Sequence, residues 1–285
     1  MDRDQLRRVV KQHAETSRLL GVDFVPVFRA EGTELVGADS GTVEEAVAES
    51  PRKKPVEVMA IAKEDRKPVA KVAAVAGVRT RESVRAVLDE ILERYEADAP
   101  HKAFKTAHNR IVFDDGDCLA RLMFVGEAPG EDEDIQGKPF VGRGGQLLNK
   151  MIAAMGLTRE VVYVANVLKT RPPDNATPTL AECRLCESYL FEQIQAVRPE
   201  AIVTLGLTAS RVVLKSEALM STMRGNWHRF ALSDGTSIPV MPTYHPAYLL
   251  RAYTPENREK VWSDMKQVLE QLGLSVPATS AANPS

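Results

Sequence analysis

The chain has 285 residues, 44% hydrophobic and 27% charged, with a formal net charge of −2 at pH 7. That length buries a full core in one or two domains, and the near-zero balance excludes a global basic field, so any contact with an acidic partner must be local. Three cysteines, Cys118, Cys183 and Cys186, are too few for a disulfide scaffold, and no apolar run reaches the roughly 18 residues of a membrane span. A cytoplasmic protein is the expectation.

In chain order, Leu6, Val9, Val10, Leu19 and Leu20 lie among charges and predict a short amphipathic helix over 1–20. Residues 25–80 lack a sustained period and read as a linker, although "VEVMAIA" could pair as a strand. A helix is predicted over 82–97, where Val84, Val87, Leu88, Ile91 and Leu92 form one stripe. Four apolar runs follow, "ARLMFV" (120–125), "VVYVAN" (161–166), "AIVTLG" (201–206) and "IPVMPTY" (238–244). Unbroken runs of this kind are strands buried on both faces of a parallel sheet. Helices are predicted between and after them, over 145–155, 180–197 with the capping box "TLAE", 208–214 and 256–272. The alternation gives an α/β fold, with an N-terminal extension over 1–80, a folded domain over 81–272 and a disordered tail over 273–285.

In an open parallel sheet, ligands bind beyond the carboxyl ends of the strands. Here those ends lead into "GEAPGEDEDIQGKPFVGRGG" (126–145), "NVLKTRPPDN" (166–175) and "YHPAYLLR" (244–251), collecting Glu127, Asn166, His245, Lys169, Arg171 and Arg251 on one edge. The glycines do not make a phosphate loop, because Lys138 precedes Pro139 instead of Ser or Thr. Nor does "EDEDIQG" have the alternating ligands of a calcium loop, and it reads as a solvated acidic turn. Cys183-x-x-Cys186 falls inside a helix with no second pair, which points to structural cysteines. A buried His usually satisfies a core hydrogen bond, and an Asn after a strand usually closes a turn; their convergence with Glu127 on one edge is the stronger signal.

Those three stretches, with "MRGNWH" (223–228), are in the order and spacing of the family 4 uracil-DNA glycosylases, and residues 80–272 resemble that family. The resemblance implies a three-layer α/β/α fold around a four-stranded parallel sheet of order 2-1-3-4. It also implies a repair enzyme that flips uracil out of DNA and hydrolyses its N-glycosidic bond, leaving an abasic site. By the same resemblance, Glu127 positions the attacking water and Asn166 reads the uracil edge. Phe140 is the stacking platform beside Gly126, His245 donates to uracil O2, and Glu133 has a supporting role. The loop after His245 carries an apolar wedge, Tyr248, Leu249 and Leu250, suited to fill the gap left in the duplex. It ends in Arg251 for a phosphate, with Arg143, Lys169, Arg171 and Arg224 as the further phosphate contacts expected. The partner is uracil-containing DNA, the chain is expected to be monomeric, and residues 1–20 offer a surface for a protein partner.

One departure from the family is large. Its members usually hold an iron–sulfur cluster on four cysteines, and the matching positions here are Ala99, Lys102, Thr170 and Cys186. A cubane cluster needs four thiolates, so no cofactor and no metal are expected, zinc on the three cysteines with His101 or His108 being the weaker alternative. Phe104, Leu185 and Tyr189 are the expected fillers of that region. The rival reading is a degenerate, non-catalytic module that binds DNA or a repair protein, and the intact set Glu127, Phe140, Asn166 and His245 argues against it.

Overall fold

The computed structural model describes residues 79–277. The helix expected over 1–20, the linker up to residue 78 and the tail from residue 278 lie outside the described residues. The disordered tail expected from 273 is corrected at its start, where Leu274 packs against the core and its amide donates to the Leu269 carbonyl at 2.9 Å. The described chain begins as folded structure, because the Arg79 guanidinium donates to the carbonyls of Ala196 (2.9 Å) and Val197 (2.6 Å).

Helix α1 (Arg81–Asp98) starts at Thr80, which forms a capping box with Ser83, and ends where Ala99 enters the left-handed region at φ 44°. Its buried stripe is Val84, Leu88, Ile91 and Tyr95, a spacing of four, three and four residues that holds one face of a helix against the core. Three strands and two helices follow: β1 (Asp114–Gly116), β2 (Leu122–Gly126), α2 (Glu131–Gln136), α3 (Arg143–Ala154) and β3 (Tyr163–Asn166). Next come α4 (Leu180–Val197), β4 (Ala201–Leu205), α5 (Leu207–Leu214) and the single turn α6 (Met220–Met223). The chain closes with β5 (His228–Ala231), β6 (Ser237–Thr243), α7 (Pro246–Arg251) and α8 (Pro255–Gln271).

The sheet has six strands in the order β1-β3-β2-β4-β6-β5. Strands β3, β2, β4 and β6 run parallel, while β1 and β5 pair antiparallel at the two edges. The expected four-stranded, all-parallel sheet is therefore corrected to a six-stranded mixed one. Both missed strands are edges. Asp114–Gly116 is polar, and only Phe230 of His228–Ala231 is buried, so neither carries the apolar run that marks a strand covered on both faces.

Strand residues alternate between two cores. Met123 and Val125 pack with Leu88, Leu190 and Val212 of α1, α4 and α5, whereas Leu122 and Phe124 pack with Leu148, Met265 and Val268 of α3 and α8. Each such fully buried side chain contributes about 1.5–3 kcal/mol. This double covering explains why β2 reads as an unbroken apolar run. It also fixes register, so that Gly126 of β2 lies opposite Asn166 of β3 at the same carboxyl edge.

The acidic stretch is not a solvated turn. It forms α2, with acids throughout its first turn, where carboxylates complement the helix dipole. Asp134 is fully buried and accepts hydrogen bonds from the Asn109 backbone and side chain and from the Arg110 backbone. No helix among the described residues is long and apolar enough to cross a membrane.

Candidate active site

A cleft of about 910 Å³ opens at the carboxyl edge of the sheet, with Glu127, Phe140, Asn166, Gly206 and His245 among its lining residues. That volume lies in the usual range of small-molecule sites. Four separate strand exits supply the floor.

The first two exits are tied together. The Val167 amide donates to the Gly126 carbonyl and the Leu168 amide to the Glu127 carbonyl, both at 3.0 Å. Asn166 is 1% exposed, and its Oδ1 is buried without a hydrogen-bond partner in the protein. Gly126 faces it. A Cβ at that position would come within 2.3 Å of Asn166 Oδ1 and 2.4 Å of the Phe140 ring, so only glycine lets the amide and the ring approach the end of β2 this closely.

Phe140 is 6% exposed and sits at φ 55°, a left-handed conformation that a bulky side chain adopts only when its surroundings impose it. Glu133 supplies part of that imposition. Its Oε1 accepts from the Val141 and Gly142 amides at 2.8 Å, and Oε2 accepts from the Gly130 amide at 3.0 Å. Arg159 donates to the Pro139 carbonyl at 2.6 Å, and a Cβ at Gly145 would overlap the Phe140 carbonyl.

Glu127 is half-buried, and burial pushes its carboxyl above the ordinary range, against the opposing hydrogen bond from Thr208 and the charge of Arg251. His245 caps α7, its Nδ1 accepting from the Ala247 amide at 3.1 Å, so the ring proton resides on Nε2. Burial, with Arg251 adding to it, pulls the imidazole down to about 4. The ring is therefore a neutral N–H donor, lying 5.7 Å from the Phe140 centroid. Gly206, at φ 92°, lets β4 end against it, since a Cβ there would come within 2.9 Å of His245 Cβ.

Not every sequence-derived residue reaches the cleft. Arg143 and Arg251 are exposed on its rim. Arg171 is engaged with Asn175 (2.8 Å) and Glu131 (3.6 Å). Lys169 is fully buried, its ammonium held by the Asn166 carbonyl and Gln193 Oε1, which corrects its reading as a phosphate contact. Arg224 is corrected likewise: it donates to Asp264 (2.7 Å) and the Lys260 carbonyl (2.8 Å) and lies over the Tyr244 ring, a strut instead of a DNA contact. Leu249 is 3% exposed in the core and Leu250 is half-buried, while Tyr248 is 39% exposed. Of the expected wedge, Tyr248 is thus the member exposed at the cleft, which Leu219 also lines. Thr208 was missed, although "LGLTAS" places it just past a strand end on the same edge.

The four positions of the family's cluster do not fit one. Ala99, Thr170 and Cys186 are buried, and burial pushes the Cys186 thiol up to about 11. Among the described residues, no group of three or more His, Cys, Asp or Glu could hold a metal ion. Tyr95 packs there instead, its hydroxyl 4.0 Å from Cys186 Sγ, stacked on His101 and edge-on to Tyr189. Of the expected fillers, Tyr189 is buried and Phe104 and Leu185 are half-buried; Tyr95 and His101 were not anticipated. Because no thiolate cage is needed, Cys186→Ser is expected to stay folded, with a melting temperature within a few degrees of the parent and iron and sulfide near zero in both. Loss of the fold or stoichiometric iron would contradict this packing.

Residues 113–266 match the family model of the Uracil DNA glycosylase superfamily. The chain is 43% identical over 166 residues to the Type-4 uracil-DNA glycosylase of Archaeoglobus fulgidus, covering 57% of this chain and 82% of that protein. It is 38% identical over 189 residues to the Type-4 uracil-DNA glycosylase of Thermotoga maritima, covering 66% and 94% respectively. The corresponding enzyme of Saccharolobus solfataricus is 39% identical over 197 residues, covering 67% and 89%.

Proposed function

Because the chain belongs to the uracil DNA glycosylase superfamily and is family 4-like, we propose that it is a DNA repair hydrolase that excises uracil from DNA. The observation that carries this reading to the site is the orphaned Asn166 Oδ1, beside Gly126 and Phe140 in the lining of the cleft. A buried acceptor without a partner costs about 1–3 kcal/mol, which a ligand donor offsets on binding. The imide N3–H of uracil is such a donor, with O4 beside it for the amide NH₂. Cytosine offers an acceptor at N3 and a donor at C4, so both contacts are mismatched.

The extruded base stacks on Phe140. Water attacks C1′ of the deoxyribose while the N1–C1′ electron pair withdraws into the base, and Glu127 orients that water, takes its proton and offsets the positive charge on the sugar. The leaving base carries its negative charge partly on O2, where His245 Nε2–H donates. That contact is stronger in the transition state than in the ground state, which is the condition for lowering the barrier. A neutral imidazole suffices for this role.

Arg143 and Arg251 serve the phosphates and Tyr248 the gap left in the duplex. Glu133 supports the platform by bridging the loops on either side of α2. No lysine lines the cleft among the described residues, so the product is a free abasic site with no Schiff base to the enzyme. We place the activity in a cytoplasmic monomer, within residues 81–272. The intact base site disfavours the non-catalytic binding module.

The test is incubation of the full chain with a uracil-containing oligonucleotide. Strand cleavage is expected only after alkali, at undiminished yield in chelator. Absence of abasic product under every condition would favour the binding module.

A further inference from the structure

Lys169 has no part in the chemistry above, yet it is a fully buried ammonium three residues from the base-reading amide. Burial pushes it down to about 7, so holding this side chain in the core is costly. An apolar side chain would fill the same space at lower cost.

Its surroundings show what the ammonium does there. Nζ donates to the Asn166 backbone carbonyl at 2.6 Å and to Gln193 Oε1, and it lies 5.3 Å from the Phe113 ring centroid. Gln193 cannot turn away, since its Nε2 donates to the Phe113 carbonyl (3.2 Å) and the Tyr163 hydroxyl (3.1 Å). Tyr163 in turn donates to Asp114 (2.7 Å), which Arg85 of α1 holds at 3.0 Å. The chain thus runs from a surface helix to the end of β3. Within the segment 166–169 that Nζ closes, the Val167 and Leu168 amides carry the links to Gly126 and Glu127.

We propose that Lys169 is a positioning residue for uracil recognition, its buried Nζ clamping the Asn166 carbonyl so that the amide and the Gly126–Glu127 segment keep their registration across the base site. This rests on the reading of Asn166 as the uracil-binding residue. Lys169 touches no reacting atom and acts through Asn166.

A double-mutant cycle in the full chain tests the clamp. Lys169→Met keeps the stem and removes the donors. Single-turnover uracil release is expected to fall about 10²-fold in the parent background, the scale of a misplaced contact, but less than about threefold in an Asn166→Ala background. Affinity for abasic-site duplex is expected to be unchanged. Amide exchange supplies a readout independent of activity: Val167 and Leu168 are expected to exchange about tenfold faster in Lys169→Met, with α1 unaffected. If Lys169→Met does not fold, Gln193→Met removes the second acceptor of Nζ and is expected to shift both readouts in the same direction. Equal rate losses in the two backgrounds, or unchanged exchange at Val167 and Leu168, overturns the clamp. A parent chain that releases no uracil would defeat the functional reading instead, and the exchange data would still decide the clamp.

Discussion

Glu127→Gln and His245→Ala are each expected to lower the single-turnover rate of uracil release by about 10²-fold or more, the scale of removing one preorganised transition-state contact. Affinity for uracil-containing DNA is expected to change little, because neither side chain belongs to the basic rim. The pH dependence separates the two roles. Glu127 works ionised, and burial raises its pKa, so the rate falls as pH drops through a value above the ordinary carboxylate range. His245 works neutral, and with its imidazole pulled down to about 4 it contributes no inflection near the usual histidine value. Glu127→Gln therefore removes the acid limb while His245→Ala leaves it in place. The same burial makes the ionised Glu127 a local cost to folding. Its folded pKa lies above the unfolded one, so its contribution to stability declines as pH rises through that window. At neutral pH Glu127→Gln is accordingly expected to melt higher than the parent. Parental rates in both variants would remove these two residues from the mechanism.

Gly126→Ala is expected to abolish detectable uracil release although it adds a single methyl group. The new Cβ would lie 2.3 Å from Asn166 Oδ1 and 2.4 Å from the Phe140 ring. The backbones that carry these side chains are tied down beside them, by the Val167 amide on Gly126 and by Glu133 on the Val141 amide. Overpacking a rigid site costs about 1–3 kcal/mol in stability, so circular dichroism should show a folded protein with a lowered melting temperature. The specific signature is loss of base binding: free uracil should inhibit the parent, and it should raise the melting temperature of the parent but not of the variant. Parental activity in Gly126→Ala would mean that the base binds elsewhere in the cleft.

The parallel strands and flanking helices were legible because burial on both faces writes itself as apolar runs, and caps such as Thr179 with Glu182 mark where helices begin. The edge strands were not, since Asp114–Gly116 is held by partners distant in sequence, Arg85 among them. At the site, Glu127, Asn166 and His245 were reachable from their places at strand ends and Phe140 through the family resemblance alone, and the cleft gathers all four. Side-chain direction was the illegible part. A lysine in a basic loop reads as a surface charge, and only the fold shows that Lys169 turns inward; Leu249 likewise points into the core because α7 is a helix and not an extended loop. Thr208 escaped notice because a hydroxyl after a strand carries no chemical signature until Glu127 is beside it.

The central claim is that the buried, unpartnered Oδ1 of Asn166 waits for the N3–H of uracil. Single-turnover release from two otherwise identical oligonucleotides, one carrying uracil and one carrying 3-methyluracil, measures that contact directly. Methylation removes the donor and leaves O2 and the glycosidic bond in place. Release of 3-methyluracil is predicted to be at least about 10²-fold slower, with the preference collapsing toward parity in Asn166→Ala. Equal release of the two bases by the parent chain would contradict the account.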